Sequence, residues 1–174
     1  QGGVPCCFMY SLYHRCMELA RTYLGVDPGT TTGLAVLRLT QEGFVAAHHE
    51  VKGIHDAAYW IRKHCEGNFV ELVYENFHIG DRTLRAGRDG VFHALNLIGW
   101  IVVEIEDWIG TRTYAQSPSV GKTVANDVLK GMGLYSSKYR HGTDAMRHIV
   151  RHHLTHCPKS NVTKLYAKAI EEMD

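Results

Sequence analysis

Paired cysteines, long apolar runs and a surplus of charge of either sign are what this 174-residue sequence lacks. Its five cysteines form no CxxC pair; three fall within the first sixteen residues, while Cys65 and Cys157 stand alone. That pattern is expected of a reduced, cytoplasmic chain rather than of a disulfide framework. No stretch approaches the roughly 20 apolar residues needed to span a bilayer, which argues against a membrane role. Lysine plus arginine number 19 and aspartate plus glutamate 18, a formal charge of +1, so any contact with a polyanion must come from local basic patches. The opening stretch has no basic region followed by an apolar core and a small-residue cleavage site, so no secretory leader is expected. Residues 1–16 are expected to be a non-native or disordered extension, with Met17 as the natural start. Residues 17–174 are expected to form a single domain, with no internal repeat, low-complexity tract or linker. The composition, 45% hydrophobic and 21% charged, suits a globular protein with one ordinary core.

What is present is a succession of well-marked elements. TYLGVD, GLAVLRL and FVAAHHEV follow one another, separated by the turn-rich DPGTTTG and by QEG, which predicts two hairpins. Residues 55–66 place Ala57, Ala58, Ile61 and Cys65 at helical spacing. FVELVYEN is a dense β-type run, and a buried strand after a helix predicts a crossover into a partly parallel sheet, with Glu75 at the strand's carboxyl end. HIGDRTLRAGRDG reads as an exposed loop. Residues 91–109 form a helix apolar on more than one side, with the sheet as one cover and a partner subunit or the C-terminal helices as the other. TRTYAQ reads as a strand and SPSVGKTVANDVLKGMG as a helix with Ser117 as N-cap. The last major helix is expected to start near Thr143 or Asp144 and to close at Pro158, with a short helix over 161–172. The sequon at Asn161 to Thr163 carries little meaning in a cytoplasmic chain. Many of the twelve histidines are expected on solvated helix faces.

Acidic residues at element ends are the chemical signal. Asp27 ends a first strand immediately before a glycine turn, where an aspartate ordinarily bonds its own backbone. Glu75 also ends an apolar strand, a place where a carboxylate is costly unless a cation or hydrogen bonds compensate. Asp144 stands where a helix opens, with His141 just before it on the connecting loop; the ordinary reading is a helix cap. Together the three carboxylates and one imidazole supply the ligands that Mg²⁺ or Mn²⁺ require, the histidine leaning toward manganese.

These segments resemble one family in order and separation. YLGVDPGTTTGLAVL resembles the opening hairpin of the RuvC Holliday-junction resolvases, VYENF their second acidic strand, and HGTDAMRHIVRHHL the final helix with their last ligands. TYAQSPSVGKTVA resembles the segment before their basic helix, so the likeness covers most of residues 21–156, with a phage-type member in view. It implies an α/β, ribonuclease-H-like fold with a mixed five-stranded sheet flanked by helices. It also implies a structure-selective endodeoxyribonuclease that resolves Holliday junctions and other branched DNA by paired nicks, as a homodimer. Asp27, Glu75 and Asp144 would bind two catalytic Mg²⁺ or Mn²⁺ ions, with His141 in the fourth place. HGTDA departs from the alanine-rich DAxDA form common at that helix while matching members with histidine. His148, four residues beyond Asp144, is read as a bystander.

DNA contacts are expected from Arg82, Arg85 and Arg88 in one loop and from Lys122, Lys130, Lys138 and Arg140, all of which would otherwise be a solvated face. Phe77 is a candidate wedge at the junction point, with His78 as the alternative and packing under the loop as the plain reading. Two other functions are open. VDPGTTTG also resembles the phosphate hairpin of actin-like ATPases and sugar kinases, which need a second domain and a second glycine-rich loop. A non-catalytic junction-binding protein would need its metal ligands missing. A zinc site from His152, His156 and Cys157 lacks a fourth ligand, and a solvated helix end is the expectation there.

Overall fold

Strict alternation of inward and outward side chains builds a sheet with two different faces. The computed structural model describes residues 21–40, 42–77, 88–106, 108 and 110–173, with the backbone alone for 88–90. The expected hairpins are present: β1 (Thr22–Asp27), β2 (Thr31–Thr40) and β3 (Gly43–Lys52) pair antiparallel, with Asp27 opposite Gly33. Helix α1 (Ile54–Cys65) carries the chain across to β4 (Val70–Glu75), which pairs parallel with β1. Helix α2 (Arg88–Trp100), prolonged by a π-helical turn over Ile101–Ile105, leads to β5 (Thr111–Gln116), parallel to β4. The strand order is β3-β2-β1-β4-β5, so the sheet is mixed and five-stranded, as expected. Because β1, β4 and β5 run the same way, Asp27, Glu75 and Gln116 end at one rim.

Each face has its own core. Leu24, Val26, Leu34, Leu72 and Tyr74 bury against Ala57, Ile61 and Cys65 of α1 and Leu97, Ile101 and Ile105 of the α2 segment. On the opposite face Tyr23, Ala35 and Leu37 meet the helices that follow β5. These are α3 (Pro118–Gly121), α4 (Asn126–Gly131), α5 (Arg140–His156) and α6 (Asn161–Glu171). The two-residue period puts Glu71, Val73 and Glu75 on this second face, since Val70, Leu72 and Tyr74 are committed to the first. Helix α5 lies almost on the backbone of β1 and β2. A Cβ at Gly25 would overlap the carbonyl of Ala145, and one at Gly33 the carbonyl of His141. Only glycine permits so close an approach, and that approach places the first turn of α5 over the end of β1.

Four expectations are corrected. The single helix over 117–133 is two short ones, α3 and α4, separated by a turn in which Thr123 and Val124 bond back to Val120 and Gly121. Ser117 precedes α3 as expected, but its hydroxyl bonds that of Ser119 at 2.9 Å rather than capping an amide. Helix α5 begins at Arg140, a turn early, because the Glu50 carboxylate on β3 accepts from the His141 amide at 2.7 Å. Within the chain α2 packs against α1, whereas the C-terminal helices α5 and α6, one of the two covers expected for it, lie across the sheet. The proposed extension over 1–16, and Met17, lie outside the described residues, as does most of the loop expected from His78 onward.

Candidate metal centre

The rim that collects the ends of β1, β4 and β5 also receives the first two turns of α5. Asp27 and Glu75 come from adjacent parallel strands on the α5 face, and Gly25 and Gly33 let α5 settle low enough to bring His141 and Asp144 to them. Asp27, His141 and Asp144 each offer a ligand atom, and these atoms all lie within 4.8 Å of one another. His141 Nδ1 is 3.3 Å from Asp27 Oδ2. Glu75 stands apart from this tight trio but lines the same cleft, of about 270 Å³, with Asp27, Asp144, Lys122, Arg140, Arg147 and His148. Two carboxylates and an imidazole within one coordination distance, with a third carboxylate on the wall, suit a hard or borderline divalent cation.

The electrostatics point the same way. Burial pushes the Asp27 carboxyl above its usual range, and the neighbouring Glu75 charge adds to that, while the hydrogen bond to His141 works against it. The same hydrogen bond raises His141, against the smaller opposing effect of its burial. A desolvated aspartate beside a second carboxylate is a place where positive charge is favoured. Part of that charge is supplied by Arg147, whose guanidinium reaches Asp144 and Asn126 and donates from Nε to the Val124 carbonyl at 3.0 Å. Asp144 therefore sits one turn inside the helix, held by Arg147 at i+3, and is no helix cap.

The other expected residues divide. Lys122 and Arg140 are exposed at the cleft, and Arg140 borders a second hollow with Ser136, Ser137 and Arg147. Lys130 pairs instead with Asp127 at 2.7 Å, and the Lys138 ammonium lies 4.9 Å from the Tyr139 ring; neither lines the cleft. Phe77 is half-buried two residues beyond Glu75. His78, Arg82 and Arg85 lie outside the described residues, as does the Arg88 side chain.

Four residues at the rim escaped the sequence reading: Glu50, Gln116, Arg147 and His148. Only the last two carried any signal, their i+3 and i+4 spacing from Asp144. His148 is no bystander: it is fully buried, with Nε2 3.1 Å from Glu75 Oε2. The solvated helix end is corrected as well, since His152 is buried and bonds Glu71 Oε2 at 2.7 Å, and His153 is buried beside it. Among the described residues, Asp27, His141 and Asp144 are the one group of three or more candidate ligands that converge; His152, His156 and Cys157 do not.

No protein-family model and no curated protein matches the chain in sequence. Among solved structures it is similar to T. thermophilus RuvC in complex with a Holliday junction substrate, at a TM-score of 0.53 and 17% identity, over 76% of this chain and 92% of that one. With the mixed sheet and its flanking helices, that likeness gives this chain a ribonuclease-H-like α/β fold.

Proposed function

We propose that this chain is a divalent-metal-dependent endonuclease that cuts branched DNA, four-way junctions above all. The observation that carries the reading is the convergence of Asp27, His141 and Asp144, with Glu75 on the same wall, at an open cleft edged by Lys122 and Arg140. Its fold is also that of a protein solved with a Holliday junction.

In this reading Asp27 and Asp144 provide anionic oxygen, His141 a neutral nitrogen donor, and Glu75 a further carboxylate. Together these four residues would hold two Mg²⁺ or Mn²⁺ ions, which would supply an activated water and a counter-charge for the leaving oxygen. Lys122 and Arg140, exposed at the mouth of the cleft, pair with phosphates on either side of the scissile bond and fix the strand without reading its bases. Arg147 holds Asp144 by Oδ1, so the carboxylate arrives oriented. Paired nicks across a four-way junction require two-fold symmetry, hence a homodimer. The apolar side chains left exposed on the α2 segment, Phe92 at 58% and Val103 at 71%, are compatible with such a partner.

The deciding experiment offers labelled four-way junction, fork and linear duplex to the wild type and to Asp27→Asn, with Mg²⁺ and with Mn²⁺. Metal-dependent nicking of the branched substrates by the wild type alone is expected. Equal activity in the variant, or nucleotide hydrolysis with no nicking, would overturn the proposal.

A further inference from the structure

The Glu75 side of the cleft contains an arrangement that the trio does not need. Glu75 and Gln116 are register partners on β4 and β5, with side chains on the same face. His148 of α5 drops between them. Gln116 donates from Nε2 to the His148 carbonyl at 3.2 Å, which turns its Oε1 toward His148 Nδ1 at 2.9 Å. The amide orientation thus commits Nδ1–H to Gln116, so the hydrogen bond between Nε2 and Glu75 Oε2 at 3.1 Å requires a second proton, shared between those two atoms. The ring cannot swing away. It is 1% exposed, and the Cα of Gly121 packs so closely against its Nε2 edge that an added Cβ would come within 3.0 Å of that atom. The Gln116 backbone is anchored in turn, its carbonyl accepting from the Asn76 amide at 2.6 Å.

Four residues later on α5, and four earlier on β4, a second pair joins His152 to Glu71 at 2.7 Å. It differs in two respects. Among the described residues His152 Nδ1 has no partner, and Glu71 is engaged by Arg21 at 3.7 Å rather than facing the cleft. A histidine that merely satisfies a buried carboxylate is what His152 provides. His148 is braced at both nitrogens and seated in a gap that glycine keeps open, at a carboxylate that lines the same cleft as Asp27 and Asp144.

We propose that His148, oriented by Gln116 and Gly121, is a positioning residue: it holds Glu75 by Oε2 and thereby reserves Oε1 for a divalent cation shared with Asp27. No donor among the described residues reaches Oε1. This rests on the nuclease reading for its purpose, though the contact itself does not. Groups that orient a metal ligand typically alter metal affinity by about 10- to 100-fold when removed.

The test is Mn²⁺ titration calorimetry of the full chain without DNA, beside metal-free thermal unfolding and junction nicking. Gln116→Met releases Nδ1 and His148→Leu removes both ring nitrogens; each is expected to weaken Mn²⁺ binding by about tenfold or more. His148→Gln, which retains a donor toward Glu75, is expected to stay within about threefold of the wild type. His152→Gln is expected to lower the unfolding temperature and leave Mn²⁺ affinity unchanged. If His148→Leu does not fold, Gln116→Met decides. Wild-type affinity in the folded variants overturns the positioning role alone. A wild type that binds Mn²⁺ but cuts no branched DNA overturns the nuclease reading alone, and one that binds no Mn²⁺ overturns both.

Discussion

The two faces of the sheet differ in what they bury. Under α1 and the α2 segment the core is almost wholly aliphatic, built from Leu24, Val26, Leu34, Ile61, Leu72, Leu97, Ile101 and Ile105. Under α5 the same sheet carries Asp27, Glu71 and Glu75, answered by His141, His148 and His152 from the helix, with His153 buried beside Tyr23. A dry face needs only volume and shape, whereas part-buried carboxylates and imidazoles are costly unless they are paired. Both faces hold an apolar core, and only the second adds paired acidic and imidazole groups, toward the rim where the candidate metal centre lies.

Substitutions on the two faces should separate these roles. Asp27→Asn is expected to reduce junction nicking on the order of a thousandfold, because a group that places charge at the reacting phosphate is lost. The metal-free unfolding temperature should hold or rise, since burial and Glu75 make that carboxylate costly. Leu72→Ala should do the reverse. A fully buried leucine on the aliphatic face leaves a cavity worth about 3 kcal/mol in denaturant unfolding, while the nicking rate of the folded fraction is retained.

Next in size is a pH effect confined to the polar face. Burial, with the charge of His152 adding to it, pushes the His153 imidazole down to about 4. The unfolded chain then takes up a proton near the ordinary value of about 6.5 that the folded chain refuses, so stability falls as pH drops from there toward 4. Between pH 7 and pH 5 the loss should be about 2 kcal/mol, read from urea midpoints, and His153→Gln should flatten that part of the profile. Smallest of all, Arg62→Gln on the outer surface of α1 removes an exposed ion pair with Glu104 at 3.3 Å and should cost about 0.5 kcal/mol or less.

The same contrast explains what could be read before any coordinates. Strands, hairpins and the parallel crossover follow from apolar periodicity and turn residues, which are local, and Asp27 and Glu75 could be placed because each simply ends such a run. The start of α5 is not legible in the local sequence because the His141 amide is satisfied by Glu50, 91 residues away on β3. The break between α3 and α4 was missed because Lys122 to Ala125 contain no proline or glycine to announce it. His148, His152 and His153 looked like a solvated face because imidazole is polar. What buries the first two is acidic partners on β4, 73 and 81 positions earlier, and no pattern within the helix reveals a partner on a distant strand.

Soaking crystals of the wild-type protein in Mn²⁺ and recording anomalous diffraction at the manganese edge tests the central claim most directly. The account predicts anomalous density between the carboxylates of Asp27 and Asp144 and the ring of His141, on the side of the cleft that Glu75 lines. Density at His152 and His156 instead, or none at the rim while Mn²⁺ is bound elsewhere, would contradict it.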